Sequence, residues 1–492
     1  MKMEVDVHYP DDAPTQYSYL FPIGYSNSSE CGYCHKTRSG QSTKRFSYYA
    51  IATSLTPAFY QKLVDRCWRR SGNLLYRPNQ RHSCCPHYSL RLDSTQFTPS
   101  KAQRQAINRF NRHIIGTTYP REAARLHPRT RAETRRRKNV FDLVERIHEP
   151  EAGVLKTPPQ PDHVFTVTLE PDTFTEEKYA IFENYQRIVH CEPPNKISRD
   201  GFRRFLCDSP LTRGSVLNDD GRTRRPVGSF HQCYRIDGRL VAVGVLDLLP
   251  DCVSAVYFFY HEDIHWLNPG KLGALREIAL AKEAGYRWWY PGYYVHGCAK
   301  MRYKIEYKPQ QVLDPEDLRW YPLDENALKL FDKAHYVVFS RPMGEPPQGQ
   351  PSGVVNGHDT HPEPSRPPDQ LEQTPPQQEP SNNNNNPNNG AQDETEEDDE
   401  EEDAFLLASN MPGIPSLHEI EELDRRGGMD DLVLRSDFSE HLILASHLVI
   451  WDTERAGQFG TLKSRIAELV AAVGPDLMGE VCVDFRKRAA RY

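Results

Sequence analysis

The sequence predicts an α/β (α+β) fold with an acyltransferase-like layout. Three observations carry this: a β-meander over 229–260, one helix opening at a glycine-containing loop after it, and a strand returning at 288–295. The 492 residues allow two or three domains, and 38% hydrophobic residues with 10% aromatics supply a core. Along the chain, Ser100-Lys-Ala-Gln103 has the form of a capping box. Ile107, Phe110 and Ile114 then recur at helical spacing, with Lys101, Arg104 and Arg112 on another face. Residues 164–169 read as a strand, and Thr173 to Glu176 as the cap of a helix carrying Tyr179, Phe182, Ile188 and Val189. Runs of high β-propensity at 229–236 and 240–248 flank the Asp237-Gly238 turn, and a third follows at 253–260. Gly270 precedes a helix with Leu272, Leu275, Ile278 and Ala279 on one side, and Gly285 stops it. Near the end, 442–451 reads as a strand, and Ile466, Leu469, Val470 and Val473 form one helical stripe closed by Gly474-Pro475. The expected domains are 1–155, basic and cysteine-rich; 156–340, the meander-and-helix core; 341–403, an insert; and 404–492, a segment packing on that core.

Lysine and arginine number 61 against 68 acidic residues, and the formal balance of −7 hides a segregation. Residues 1–150 carry 25 Lys/Arg against 12 Asp/Glu, whereas 341–403 carry 2 against 16. The acidic segment is also rich in Pro, Gln and Asn and cannot bury enough apolar area to offset chain entropy, so a disordered insert is expected there. The basic excess continues through Arg121, Arg125, Arg129, Arg131 and Arg135 to Lys138, a run that suits either a solvated face or phosphate binding. The longest apolar stretch, 240–246, is far short of the roughly 20 residues that cross a bilayer, which excludes a membrane-spanning helix and a membrane partner. No apolar segment follows the first charges, so no secretory signal is expected. The chain is placed in the cytoplasm, with the nucleus left open by the arginine run near Arg135.

Eleven cysteines in a reducing compartment read as metal ligands or core thiols. Cys31-Gly-Tyr-Cys34 and the pair Cys84-Cys85 are the most specific signal, because a C-x-x-C knuckle with Gly32 in its turn aims two thiolates at one ion. A second pair completes a four-sulfur site suited to zinc or to an iron–sulfur cluster, and spacing alone favours a structural zinc. His35, His82 and His87 are substitutes for one sulfur, Cys67 is spare, and neighbouring cysteines are awkward joint ligands of one tetrahedron.

Two sets of motifs resemble the eukaryotic arginyl-tRNA:protein transferases. The first is Cys31-Gly-Tyr-Cys34, Trp68-Arg-Arg-Ser-Gly72, Cys84-Cys85-Pro86-His87-Tyr88 and Pro99-Ser-Lys101. The second is Gly201-Phe-Arg-Arg-Phe205, Ala242-Val-Gly-Val-Leu-Asp247, Cys252-Val-Ser254, Ala274-Leu-Arg-Glu-Ile278 and Tyr293-Tyr-Val-His296, continuing through Lys300-Met301 and Tyr303-Lys304. The match is ordered and spans roughly residues 20 to 320. The resemblance implies a GCN5-related acetyltransferase (GNAT) fold for the second half. It implies transfer of arginine from its tRNA to an N-terminal Asp, Glu or oxidised Cys, which marks the acceptor for a ubiquitin-ligase pathway. It also implies that Cys31, Cys34, Cys84 and Cys85 hold an iron–sulfur cluster, against the zinc that spacing prefers. The acidic insert departs from the shared pattern.

An aminoacyl ester is already activated, so no ATP is required. An α-amine with a pKa of about 7.7 to 8.0 is partly neutral at pH 7. The reaction then needs positioning, a proton for the leaving ribose oxygen, a cation for the acceptor carboxylate and an anion for the donor guanidinium. Asp247, ending an apolar strand, and then Glu277 are the candidates for the anion or for positioning the amine. Their alternatives are a strand-end turn residue and an exposed helix partner of Lys271 or Arg276. Tyr293 and His296 are candidate proton donors, Lys300, Arg302 and Lys304 candidate readers of the acceptor carboxylate, and Gly270 opens a helix whose amides suit a phosphate of the tRNA end. Lys101 and Arg104 are candidate tRNA contacts. Rival readings are an acetyl-CoA-dependent N-acetyltransferase, weakened by Leu267 standing where that pyrophosphate loop starts, and a metal-stapled RNA-binding adaptor.

Overall fold

The computed structural model describes residues 17–28, 31–34, 45–341, 405–437 and 441–486. The first stretch forms β1 (Ser18–Ser28), β2 (Arg45–Ser54), α1 (Pro57–Val64), β3 (Arg69–Ser71), β4 (Leu74–Pro78) and β5 (Tyr88–Asp93). Four helices follow: α2 (Lys101–Ile115), α3 (Tyr119–Leu126), α4 (Arg131–Asn139) and α5 (Leu143–His148). In α2 the expected capping box forms, with the Ser100 hydroxyl accepting from the Gln103 amide and the Gln103 side chain accepting from the Ser100 amide. Its apolar stripe of Ala106, Ile107, Phe110 and Ile114 is buried, which leaves the basic residues outward.

Then come β6 (Phe165–Pro171), α6 (Glu176–Val189), the short α7 (Arg199–Phe202), β7 (Gly214–Leu217), and the meander β8 (Arg224–Ile236), β9 (Arg239–Leu249) and β10 (Cys252–Tyr260). Thr175, rather than Thr173, caps α6 by accepting from the Lys178 amide. The β8–β9 turn places Asp237 at φ 51° and Gly238 at φ 81°, the backbone a tight two-residue hairpin demands. α8 (Pro269–Ala284) then crosses the sheet, ended by Gly285 at φ 90°. It lies so close to β10 that a Cβ on Gly273 would stand 2.4 Å from the Phe258 ring. β11 (Trp288–Tyr294), a 3₁₀ segment Ala299–Glu306, β12 (Gln310–Leu313), β13 (Trp320–Pro322) and α9 (Glu325–Lys333) follow. After the insert, which but for Arg341 lies outside the described residues, come α10 (Leu417–Arg425), β14 (Val433–Arg435), β15 (Ile443–Leu444), α11 (Leu462–Val473) and β16 (Val481–Asp484).

The result is a mixed α/β architecture with two sheets. One has the order β15-β14-β16-β1-β2-β4-β3, and the other β13-β12-β5-β11-β10-β9-β8-β6 with β7 on β8. The second sheet does not respect the boundary expected at 155, because β5 pairs antiparallel with both β11 and β12. The last segment packs on both parts of the chain. β16 pairs parallel with β1 and β14, and α11 buries Ile466, Leu469, Val470 and Val473 in one core with Leu20, Tyr48 and Trp68 and with Leu249, Cys252 and Tyr290 of β9, β10 and β11. Trp68 Nε1 donates to the Ala472 carbonyl at 3.1 Å. Of 442–451 only Ile443–Leu444 is strand. The amides of Leu448, Trp451 and Thr453 bond carbonyls three residues back, which turns the chain, and Val449 is 95% exposed. Among the described residues no helix is long and apolar enough to cross a membrane.

A buried ion pair joins the sheets. Arg70 on β3 donates through Nε (2.8 Å) and Nη2 (2.5 Å) to the two carboxylate oxygens of Asp247 on β9. Two further hydrogens reach the Ser229 hydroxyl and the Gly72 carbonyl, so four of the five guanidinium N–H groups are bonded out of water.

Candidate functional site

The four sulfurs of Cys31, Cys34, Cys84 and Cys85 lie within 4.8 Å of one another, and Cys34 Sγ is 3.8 Å from Cys84 Sγ. The adjacent pair Cys84 and Cys85 thus does converge with the C-x-x-C turn. Gly32 is not what permits the turn, since its φ is ordinary and a Cβ there would touch nothing. Burial pushes the Cys31 thiol up, but the amides of Cys34 and Tyr33 and the thiols of Cys84 and Cys85 more than offset this, so it lies below its ordinary value. Burial together with the Cys31 and Cys34 sulfurs pushes Cys84 up to about 12. Several thiolates cannot share so small a volume without a cation, and four sulfurs with a cation form a stable metal site. The set can therefore hold a metal. It packs against Val295, Cys298 and Met301, so it adjoins the end of β11.

At β11 the second sheet opens. β10 and β11 are parallel and keep register only at Cys252–Trp288, Val253–Trp289 and Ser254–Tyr290. Past a bulge between Ala255 and Tyr257, β10 stays paired with β9 alone and β11 with β5 alone. Lys304, from the 3₁₀ segment, reaches into this parting. Its Nζ donates to the Tyr293 carbonyl at 2.7 Å and lies 3.5 Å from where a Cβ on Gly292 would stand, with the Ala255 carbonyl 3.8 Å from that same point. Gly292 is at φ 85°, a backbone that favours glycine, although the distances around it would admit a Cβ. Burial lowers the Lys304 ammonium to about 8, with Arg69 adding to the effect.

Glu277, on α8, is buried rather than paired with Lys271 or Arg276. Lys271 pairs with Glu306, Arg276 with Glu151, and Trp289 Nε1 donates to Glu277 Oε2 at 2.8 Å. Burial raises its carboxyl to about 7, against the opposing effects of the Trp289 hydrogen bond and the Lys304 charge. Glu277 and Lys304 therefore face one environment, and both titrate near neutrality.

The side chains of the other expected residues are engaged elsewhere or exposed. Asp247 is engaged by Arg70 of its own chain in place of a donor guanidinium. Tyr293 lies under the Arg69 guanidinium, 4.9 Å from its ring centroid, and donates its hydroxyl to the Cys67 carbonyl at 2.5 Å. Its proton is thus committed inward, and burial holds the hydroxyl well above its ordinary range. His296 has both nitrogens occupied, Nδ1 by the Tyr294 hydroxyl (2.7 Å) and Nε2 by Asp332 (2.9 Å), and stacks on Phe331. Lys300 and Arg302 are exposed, as are Lys101 and Arg104 on α2. Gly270 lies in the first turn of α8 with open space around it, and Asn268 gives that helix no side-chain cap. Sequence reasoning gave no role to Arg69, Arg70, Trp289 or Cys298. Charged residues inside the short strand 69–71 were the available signal for the first two.

Comparison with known proteins adds to this geometry. The family model described as "Arginine-tRNA-protein transferase, N terminus" matches residues 29–105, and "Arginine-tRNA-protein transferase, C terminus" matches 177–314. The chain is 27% identical to arginyl-tRNA--protein transferase 2 of Arabidopsis thaliana over 64% of this chain and 76% of that protein. It is 28% identical to arginyl-tRNA--protein transferase 1 of Saccharomyces cerevisiae over 60% and 61%, and 29% identical to an aspartate/glutamate leucyltransferase of Pseudomonas fluorescens over 54% and 83%. The first match contains all four convergent thiols and the second contains Glu277, Tyr293 and Lys304, in the same order along the chain, so this chain belongs to the arginine-tRNA-protein transferase family.

Proposed function

We propose that this enzyme moves arginine from Arg-tRNA to the N-terminal amine of proteins that begin with Asp, Glu or oxidised Cys, using the opening between β10 and β11. The observation that carries this reading is the buried acid Glu277, which feels the charge of the half-buried Lys304 ammonium set at that parting. A sheet that parts beside a helix, as in a GNAT-like core, gives a bound chain end access to backbone in the middle of the sheet. The acceptor nitrogen attacks the ester carbonyl. The carbon–nitrogen bond forms, the bond to the ribose oxygen breaks, and one proton passes from the amine to that oxygen. Lys304 holds the acceptor carboxylate, a role that exposed Lys300 and Arg302 support only from outside. Glu277, with its carboxyl near 7, takes the amine proton directly or through one water. The donor ester needs no ATP, and the product is a protein start suited to ubiquitin-ligase recognition.

The same reading gives the four thiols a single ion. Zinc–sulfur bonds of about 2.3 Å arranged tetrahedrally put sulfurs about 3.8 Å apart, in keeping with the 3.8 Å between Cys34 and Cys84. In a two-iron cluster two thiolates share each iron at that same spacing while the two pairs stand farther apart, whereas all four sulfurs here lie within 4.8 Å of one another. Such an ion braces the end of β11 and supplies no step of the transfer. Protein prepared without air should carry about one zinc per chain by elemental analysis, and Cys84→Ser nearly none; two or more irons per chain in the parent would make the site a cluster.

The defining assay incubates the chain with Arg-tRNA and peptides beginning with Asp or Asn, and reads arginine addition by mass spectrometry. The expected result is addition to the Asp peptide alone. Binding of tRNA with no arginine on either peptide would favour the adaptor reading.

A further inference from the structure

Residues 101–138 hold twelve Lys/Arg against two acids, Glu122 and Glu133. Glu133 is spent on capping, accepting from both the amide and the hydroxyl of Thr130. α4, which carries the densest part of this run, buries none of its residues, so packing of an apolar face does not explain why it is there. It is held by polar contacts: Arg136 reaches Glu145 at 2.5 Å, Arg137 pairs with Glu145 and, at 2.5 Å, with Glu149, and the Arg137 carbonyl accepts from Arg146. Those two carboxylates anchor two arginines and leave Arg131, Arg135 and Lys138 on α4, with Arg121 and Arg125 on α3, exposed and without an ion pair among the described residues.

This surface connects to the opening at β11. The Gln103 side chain donates to the Glu306 carbonyl at the end of the 3₁₀ segment that bears Lys300 and Arg302. The guanidinium groups of Arg104 on α2 and Arg146 on α5 lie 5.9 Å and 5.7 Å from the Phe141 ring, and Asn111 donates to the Arg146 carbonyl. Exposed cations thus run from the candidate site, past Lys101 and Arg104 in the first turns of α2, to α4. A partner that matches is a long polyanion whose one end must reach the site while its body lies elsewhere. Double-helical RNA is gripped in this way, through phosphates and 2′-hydroxyls rather than bases.

We propose that the exposed face of α3 and α4 docks the double-helical arm of the tRNA, away from its reacting end. The proposal rests on the reading of Arg-tRNA as donor, and its test is separable from that reading. Binding of deacylated tRNA is measured against salt for the parent and for Arg131→Gln/Arg135→Gln/Lys138→Gln. The triple variant should bind about tenfold or more weakly at low salt, with the slope of log affinity against log salt reduced by roughly two to three, at 0.7 to 0.9 per lost phosphate contact. Its KM for Arg-tRNA should rise in parallel, its KM for the acceptor peptide and its melting temperature should stay put, and an Arg131→Lys/Arg135→Lys variant should keep the parental slope. Unchanged affinity and slope overturn the proposal even where arginine transfer is normal. So does a triple variant that loses an acidic peptide of sequence 393–403 while holding tRNA as before, since the face would then dock acidic protein. Loss of the salt slope in the variant supports the proposal even if the parent transfers no arginine to any peptide.

Discussion

Replacing Glu277 by glutamine is expected to lower kcat/KM for arginine transfer about a hundredfold and to remove the part of the pH profile that rises through about 7. In the parent, activity should climb as Glu277 loses its proton near 7 and fall as Lys304 loses its charge near 8, giving a narrow optimum between them. In the variant only the titration of the acceptor amine should remain on the rising side. A stability measurement separates this role from a structural one. The folded-state pKa of Glu277 stands above the roughly 4.5 of an unfolded chain, so the folded protein holds the extra proton between those values. Stability should therefore decline as pH rises from about 4.5 to 7, and the penalty should be complete above 7, on the order of 3 kcal/mol. Glutamine keeps an oxygen for Trp289 Nε1 and cannot ionise, so Glu277→Gln should melt higher than the parent at pH 8 and close to it near pH 5. A less active protein that is also less stable at pH 8 would show that the carboxylate braces the fold.

The second large effect concerns Arg70 and Asp247, whose side chains are 2% and 1% exposed. Asp247→Ala strands a buried guanidinium and is expected to cost about 3 to 5 kcal/mol, read by denaturant unfolding. Arg70→Met with Asp247→Leu removes both charges, and most of the stability should return. Arginine transfer by that double variant should lie within a few fold of the parent, because the pair joins two sheets and contacts no substrate. Should the double variant fold and transfer nothing, Asp247 would be restored to the donor guanidinium.

Which parts of this architecture could be read in advance follows from how far each signal reaches along the chain. The capping box at Ser100, the Asp237-Gly238 turn and the helix closed by Gly285 are written within a few residues, and all three formed as expected. The stretch 442–451 misled because Leu442, Ile443, Leu444, Leu448, Val449 and Ile450 suggest a strand by composition, whereas local turns take up their backbone groups. The interleaving of β5 between β11 and β12 is set by pairing over some two hundred positions, and no local pattern encodes it. At the site, the four cysteines were legible from residue type alone. Asp247 was not, since only the fold reveals that Arg70 occupies the carboxylate. Glu277 looked like a surface helix charge until the tight approach at Gly273 drew α8 onto the sheet.

Ser18 on β1 is paired with Val481 on β16, across almost the whole chain. During synthesis the ribosome must deliver more than four hundred residues before the first strand meets this neighbour, so one edge of an otherwise formed sheet waits unpaired in the nascent polypeptide. Messages truncated anywhere upstream of α11 should yield chains that chaperones retain and proteases clear, with no partly working enzyme left behind.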